Sequence, residues 1–317
     1  MKIVAQLVIA GCIGNSAAHA QTWPTTTVRI IVPYAPGGTT DIAARVLAQE
    51  LTPVLGQQVI VENRAGAATR LGSELVAKAP ADGHTLLLTA APFAINPALY
   101  PQMAYDTLRD FEPVSLVVQN ALVLLAHPTT GSANVADLLA RAKKDETPIA
   151  SAGNGSMSHM SIELLASITG AKLLHIAYKG SGQALPHVIS GQVPFMFDNP
   201  SSALPHVKSG RLRAIAYTGP KRSSALPDVP TVMEAGITGF QTLNWFGLLA
   251  PAKTPSADLD RLNAEVVKVL RKPDVVARFI KDGVDVAPST RAEFSEFIRT
   301  EVGKWAQVVK TRNIKAD

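Results

Sequence analysis

Strand-like and helix-like stretches alternate along the whole chain, and that alternation restricts it to an α/β fold with mainly parallel sheets. Residues 28–34 form an apolar run suited to a strand. In the helix pattern that follows, Ala43, Leu47, Leu51 and Leu55 recur on one face. Gly56 stops that helix, 57–63 reads as a second strand and 68–79 as a helix. The Asp82-Gly83 turn introduces a third strand at 84–89. Residues 92–110 read as irregular, because Asn96-Pro97 and Pro101 break any period. Further strands are expected at 114–118, 122–126, 147–150, 172–177, 193–197, 212–217 and 244–250. Further helices are expected at 134–144, after Ser156, and at 183–190, 256–271, 274–282 and 291–310. Residues 226–230 form a proline-stiffened connector, and no internal repeat is present.

Two strand-to-helix junctions are rich in glycine and lie about 115 residues apart. The first is Pro36-Gly37-Gly38-Thr39-Thr40-Asp41. The second is Ser151-Ala152-Gly153-Asn154-Gly155-Ser156, followed by His159, Glu163 and Ser167 on one helical face. A tight glycine turn lets backbone N–H groups converge on one point. The helix start behind it attracts anions, since its first amides lack partners and its dipole is positive there. Thr39, Thr40 and Asp41 are all N-cap residue types. Taken singly, each junction is equally well an ordinary strand-to-helix turn. As a pair, they would let two lobes aim helix starts into one cleft, which suits a two-ended or bidentate anion, above all a carboxylate.

The composition removes several alternatives. Hydrophobic residues make up 47% and charged residues 17%, so a large core is available. The net charge is +5, basic residues are scattered and aromatics are only 5%, which gives nucleic-acid binding no support. Lys2, the apolar run 3–13 and Ala18-His19-Ala20 form a secretion signal with cleavage expected before Gln21. Ile9-Ala10-Gly11-Cys12 offers lipoprotein processing as the alternative. Cleavage after Ala20 removes Cys12, the only cysteine, and with it any disulfide or thiol nucleophile. No later stretch is long and apolar enough to span a bilayer, so a soluble monomer is expected. There is no Gly-x-Ser-x-Gly elbow, no phosphate loop, no Gly-x-Gly-x-x-Gly at the first turn and no His-Glu-x-x-His. Neither metal nor cofactor is therefore expected. Ser156, His159 and Asp198 could be drawn as a triad, but nothing in their spacing requires it. A hydrolase using Ser156 and His159 stays open as the enzymatic alternative, against a binding protein with no catalytic residue.

The chain resembles a known family, the Bug-type periplasmic solute-binding proteins, receptors of tripartite tricarboxylate transporters. The resemblance is carried by Tyr34-Ala35-Pro36-Gly37-Gly38-Thr39-Thr40-Asp41-Ile42-Ala43-Ala44-Arg45, by Val61-Glu62-Asn63-Arg64-Ala65-Gly66-Ala67 and by Asp82-Gly83-His84-Thr85-Leu86. It continues in Asn96-Pro97-Ala98-Leu99-Tyr100, Ser151-Ala152-Gly153-Asn154-Gly155 with His159, and Tyr178-Lys179-Gly180. It ends in Leu226-Pro227-Asp228-Val229-Pro230-Thr231 and Trp245-Phe246-Gly247-Leu248-Leu249-Ala250-Pro251.

The resemblance implies a two-lobe, type II periplasmic binding protein of the Venus-flytrap kind, with hinge strands between the lobes. Lobe 1 would comprise 21–124 and 248–317, and lobe 2 would comprise 125–247. It implies a periplasmic receptor that holds a small carboxylate and delivers it to membrane transporter subunits. A ligand-loaded partner of a membrane sensor kinase is the alternative. Carried over by position, Gly37, Gly38, Thr39 and Thr40, with Tyr34 beside them, would grip the anion from lobe 1. Gly153, Gly155 and Ser156 would do so through lobe 2, with His159 near the helix start. Thr89 and Ala90 would line the cleft. Asp198 would either meet the ligand or act as a structural cap. Asp41 is expected as a cap, Lys179 as a solvated turn residue and Trp245 as hinge packing. Three departures from the family pattern stand out: Ala65, the run Ala68-Thr69-Arg70, and Gln183. Arg70 belongs either to the surface or to the cleft rim, where it would pair with a second carboxylate.

Overall fold

Two mixed sheets carry the chain in a computed structural model that describes residues 23–178, 180–223, 225–281 and 283–315. The expected signal sequence, with Cys12 and the cleavage point, lies outside the described residues, as does Lys179. The first sheet has the order β11 (Asp285–Val286), β4 (Phe111–Ala121), β10 (Leu243–Pro251), β3 (Thr85–Ala90), β1 (Val28–Val32), β2 (Val59–Asn63). The second has the order β7 (Leu173–Ala177), β6 (Thr147–Ser151), β8 (Phe195–Asp198), β5 (Val123–Ala126), β9 (Arg213–Tyr217). The chain changes sheets between Ala121 and Val123, and again between Tyr217 and Leu243.

The expectation of mainly parallel sheets is corrected here. Among the described residues four of nine strand pairings are parallel, namely β1 with β2 and β3, and β6 with β7 and β8. A parallel neighbour needs a crossover, usually a helix. The chain passes from one sheet to the other between β4 and β5, and back between β9 and β10, with no helix among the described residues of either connection, and these four strands pair antiparallel with their neighbours in each sheet.

Local chemistry explains the helices that frame the sheets. In α1 (Thr39–Leu55) the predicted stripe Ala43, Leu47, Leu51 and Leu55 is buried. Gly56 ends α1 at φ 71°, its N–H bonded to the Thr52 carbonyl. The segment read as irregular contains α3 (Pro92–Leu99). Pro92 suits the first turn of a helix. Pro97 lacks the N–H that would reach the Phe93 carbonyl, and the Thr107 hydroxyl donates to that oxygen instead, at 3.4 Å. The sequence pattern also missed α7 (Pro200–Lys208), in which Pro200 opens the helix and Pro205 hides its period. The remaining helices are α2 (Arg70–Ala77), α4 (Val135–Lys144), α5 (Met157–Thr169), α6 (Ser181–Ile189), α8 (Ser256–Leu270), α9 (Pro273–Lys281) and α10 (Arg291–Arg312).

Helices α1 and α8 cover one face of the first sheet through Leu47, Leu51, Leu262 and Val266. The other face meets a larger apolar cluster. It runs from Ile31 and Leu87 in the first sheet, through Phe294 and Trp305 of α10 and Met160 of α5, to Ile149 and Phe197 in the second. Helix α10 thus links both sheets. Gly247 of β10 allows this close approach: a Cβ there would lie 2.0 Å from the Phe294 ring. Trp245 is fully buried, edge-on to Phe294 and Phe297, which is the packing role expected of it.

Candidate ligand-binding site

The first glycine loop joins β1 to α1. Gly37 takes φ 92°, a left-handed conformation that favours glycine, and Gly38 is the extended N-cap at φ −82°. Asp41 pins the loop from inside the helix. Its Oδ2 accepts from the Gly37 N–H at 3.0 Å and from Arg45 Nε at 2.9 Å. Its Oδ1 accepts from Asn63 Nδ2 at 3.0 Å, and the same amide donates to the Tyr34 carbonyl at 3.1 Å. Burial pushes the Asp41 carboxyl up, but the bonds from Arg45, Gly37 and Asn63 together hold it below the usual aspartate range. This aspartate is therefore ionised and fully engaged. The amides of Gly38, Thr39 and Thr40 have no partner among the described residues, and nothing lies within 4 Å of where a Cβ on either glycine would sit. A stiff loop thus presents main-chain donors at a positive helix end.

Beside this loop lie buried hydroxyls. Thr89, near the end of β3, is fully buried, and Ala90 follows it. The Tyr34 and Thr89 hydroxyls are neighbours, yet neither makes a hydrogen bond of good geometry. Burial pushes the Tyr34 phenol well up, against the Thr89 hydroxyl beside it, so it stays protonated and can donate. The Tyr105 hydroxyl is likewise buried and unpartnered, near Ser73 and Asn96.

The second loop is built differently. Among its amides, Ala152 donates to Ser158 Oγ at 2.9 Å, Gly153 to Ser151 Oγ at 3.0 Å and Gly155 to His159 Nδ1 at 3.1 Å. The Ser156 amide donates to the Gly153 carbonyl at 3.1 Å. The amides of Gly153, Gly155 and Ser156, expected to grip the anion, are thus bonded within the loop and α5 in this structure, the first two to side chains and the third to a backbone carbonyl. Among the described residues, the amides of Met157 and Ser158 at this helix start have no partner. Ser156 is the N-cap, accepting from the His159 N–H at 3.2 Å and donating to the Gly153 carbonyl at 2.6 Å.

His159 accepts at Nδ1, which places its proton on Nε2, 3.8 Å from Glu163 Oε1. Its ring stacks on His175 at 3.8 Å, and His175 Nε2 meets Ser151 Oγ at 2.5 Å. Glu163 also accepts from Arg312 Nε of α10 at 2.8 Å. The Ser156 hydroxyl does not bond the His159 ring. Asp198 is fully buried, and its two oxygens accept from the Ser181 and Ser202 hydroxyls of α6 and α7. Burial pushes its carboxyl up against those two bonds. The three residues therefore do not form a triad, and Asp198 ties two helix starts together. Among the described residues, no three of His, Cys, Asp and Glu gather into a metal-binding group.

Two features escaped the sequence pattern. One is the link from Arg312 through Glu163 to His159, whose only signal was the four-residue spacing of His159 and Glu163. The other is the run Ala67, Ala68 and Thr69, left-handed at φ 47°, 52° and 74°.

The two-sheet architecture and the paired strand-to-helix loops define a periplasmic binding protein fold. The family model described as tripartite tricarboxylate transporter family receptor matches residues 43–314, and the chain belongs to that family. It is 38% identical over 300 residues to Protein BugT of Bordetella pertussis, covering 93% of this chain and 92% of that one. Its structure is similar to an R. palustris protein solved with adipate, at 31% identity, TM-score 0.78, and coverage of 92% of this chain and 99% of the other. It is also similar to MatC from Rhodopseudomonas palustris with bound malate, at 33% identity, TM-score 0.75, and coverage of 90% and 100%. No helix among the described residues is long and apolar enough to cross a membrane.

Proposed function

We propose that this protein is a periplasmic receptor that captures a small carboxylate between two lobes and hands it to the membrane subunits of a tripartite transporter. The observation that carries this reading is the α1 start, where the Gly38, Thr39 and Thr40 amides stand without partners on a loop pinned by Asp41. Thr89, Ala90 and the Tyr34 hydroxyl line the floor. The second lobe, divided from the first near residues 124 and 248, closes over the ligand through the α5 start with Ser156 and His159. The adipate and malate in the two relatives support a carboxylate as the class of ligand.

Each hydrogen bond to a charged group contributes about 1.5–3 kcal/mol. Three of them sum to about 4.5–9 kcal/mol before ordering costs, so micromolar binding at about −8 kcal/mol also draws on the water excluded when the lobes close. No chemical step, metal or cofactor is required. Export through a leader cleaved after Ala20 completes the reading, and N-terminal sequencing of the exported protein tests it. The central test is a thermal-shift screen of carboxylic acids at neutral pH, followed by mass spectrometry of the bound acid. A ligand that binds only the folded state raises the melting temperature by mass action. Failure of every acid to do so, or conversion of one into product, defeats the proposal.

A further inference from the structure

We infer that Arg70 is the ligand's second anchor: its guanidinium binds a second carboxylate and makes the receptor selective for dicarboxylates over monocarboxylates. This rests on the carboxylate-receptor reading above. Arg70 opens α2, and its guanidinium lies 3.9 Å from the centre of the Tyr100 ring. Its Nε donates to the Ala67 carbonyl at 2.9 Å, which fixes the plane of the group and leaves its two outer nitrogens free to form a fork. Other arginines of this lobe have ion-pair partners: Arg45 pairs with Asp41, and Arg29 and Arg64 share Glu62. Arg70 makes no ion pair with any described residue. Glu74, one turn along α2, pairs with Lys78 at 2.6 Å instead. A half-buried, shelved and unneutralised guanidinium is suited to an incoming anion.

The elements that carry Arg70 and its Tyr100 shelf touch both loops. Helix α2 packs on the root of the first loop so tightly that a Cβ on Gly72 would lie 2.9 Å from Pro33. Tyr100 follows Leu99, whose Cδ1 would lie 3.3 Å from a Cβ on Gly155 of the second loop. The left-handed run before Arg70 is held by side chains on three successive carbonyls. Arg70 binds that of Ala67, Asn96 binds that of Ala68 at 2.8 Å, and Ser73 binds that of Thr69 at 3.0 Å. Next to this clamp is the buried, unpartnered Tyr105 hydroxyl, within the field of Arg70.

The test is calorimetric titration of the mature protein and its R70Q and R70K variants with matched acids: succinate against butyrate, adipate against hexanoate, suberate against octanoate. Wild type is expected to favour the dicarboxylate of at least one pair by about 10- to 100-fold. R70Q is expected to abolish that preference while leaving monocarboxylate affinity unchanged, and R70K to restore part of it. If R70Q weakens both members equally, or the preference survives, Arg70 is not the second anchor and the receptor reading stands. If no acid of either kind binds, the carboxylate reading falls and takes this inference with it. If R70Q is misfolded by its melting curve, R70K alone decides: an unaltered preference ratio refutes recognition by a planar fork.

Discussion

Replacing Gly38 with proline isolates a single main-chain donor. Gly38 sits at φ −82°, close to the value a proline ring imposes, and nothing lies within 4 Å of where its Cβ would be. The residue before it is Gly37 at φ 92°, and a glycine best tolerates the restriction that proline places on its predecessor. The carbonyl of Gly38, which accepts from the Ile42 N–H at 3.0 Å, is retained, so α1 keeps its first bond. Only the N–H is lost, and it has no partner within the described chain, so folding stability should change little. Ligand binding should change much. One hydrogen bond to a carboxylate is worth about 1.5–3 kcal/mol, which is roughly 10- to 150-fold in Kd. Gly38→Ala is the control, because it adds a methyl in open space and keeps the donor. Calorimetry with the best acid from the thermal-shift screen should show wild-type affinity for the alanine variant and the stated loss for proline, with similar melting temperatures for all three. Wild-type affinity in Gly38→Pro would refute the first loop as a main-chain grip, and an equal loss in both variants would show that bulk alone matters.

Asp41→Ala releases the Gly37 amide, Arg45 and Asn63 together, so ligand affinity and urea resistance should fall jointly, stability by about 1–3 kcal/mol; intact affinity would mean the loop needs no clamp. The bonds from Arg29, against burial and with help from Arg64, hold the Glu62 carboxyl down from 4.5 to about 2. A depressed acid adds stability that is complete above its unfolded value and is lost as pH falls through its folded one, here from about 4.5 to about 2. Glu62→Gln should therefore flatten the acid-side fall in urea midpoint across that window, and an unchanged slope would contradict the assignment. Arg312→Ala leaves buried Glu163 with an unmet charge and should cost about 1–3 kcal/mol, read by chemical denaturation; no loss would show the pair to be idle. Ala68 sits at φ 52°, where a non-glycine residue costs about 1–2 kcal/mol, so Ala68→Gly should raise the melting temperature despite the looser unfolded chain. A lower one would show that the methyl is needed.

Much of the fold was legible because periodicity reports burial. The α1 stripe, the β10 run and the Gly56 stop each followed from one residue spacing and one physical rule. Elements in which proline masks the period were not legible. In α3 the cost of Pro97 is met by Thr107, ten residues on, and no local pattern records a partner supplied by tertiary structure. Strand direction was misread for a similar reason. Alternation signals crossovers, but β4 and β5 have none, and the two sheets are joined there.

The candidate site shows where glycine patterns stop being informative. Both loops read alike in sequence, as strand, glycine turn and helix. What separates them is the side chains behind each turn. At the first loop Asp41 is an acceptor that takes one amide, that of Gly37, and leaves those of Gly38, Thr39 and Thr40. At the second, Ser151, Ser158 and His159 are three acceptors that take the amides of Gly153, Ala152 and Gly155. Under the proposed function this asymmetry has a mechanical consequence. The first lobe carries three open donors together with Arg70, which has no ion-pair partner among the described residues, so it can seat the anion before closure. The second lobe carries a loop whose glycine amides are satisfied within itself, leaving, among the described residues, only those of Met157 and Ser158 at the α5 start, so it acts mainly as a cover whose approach excludes water.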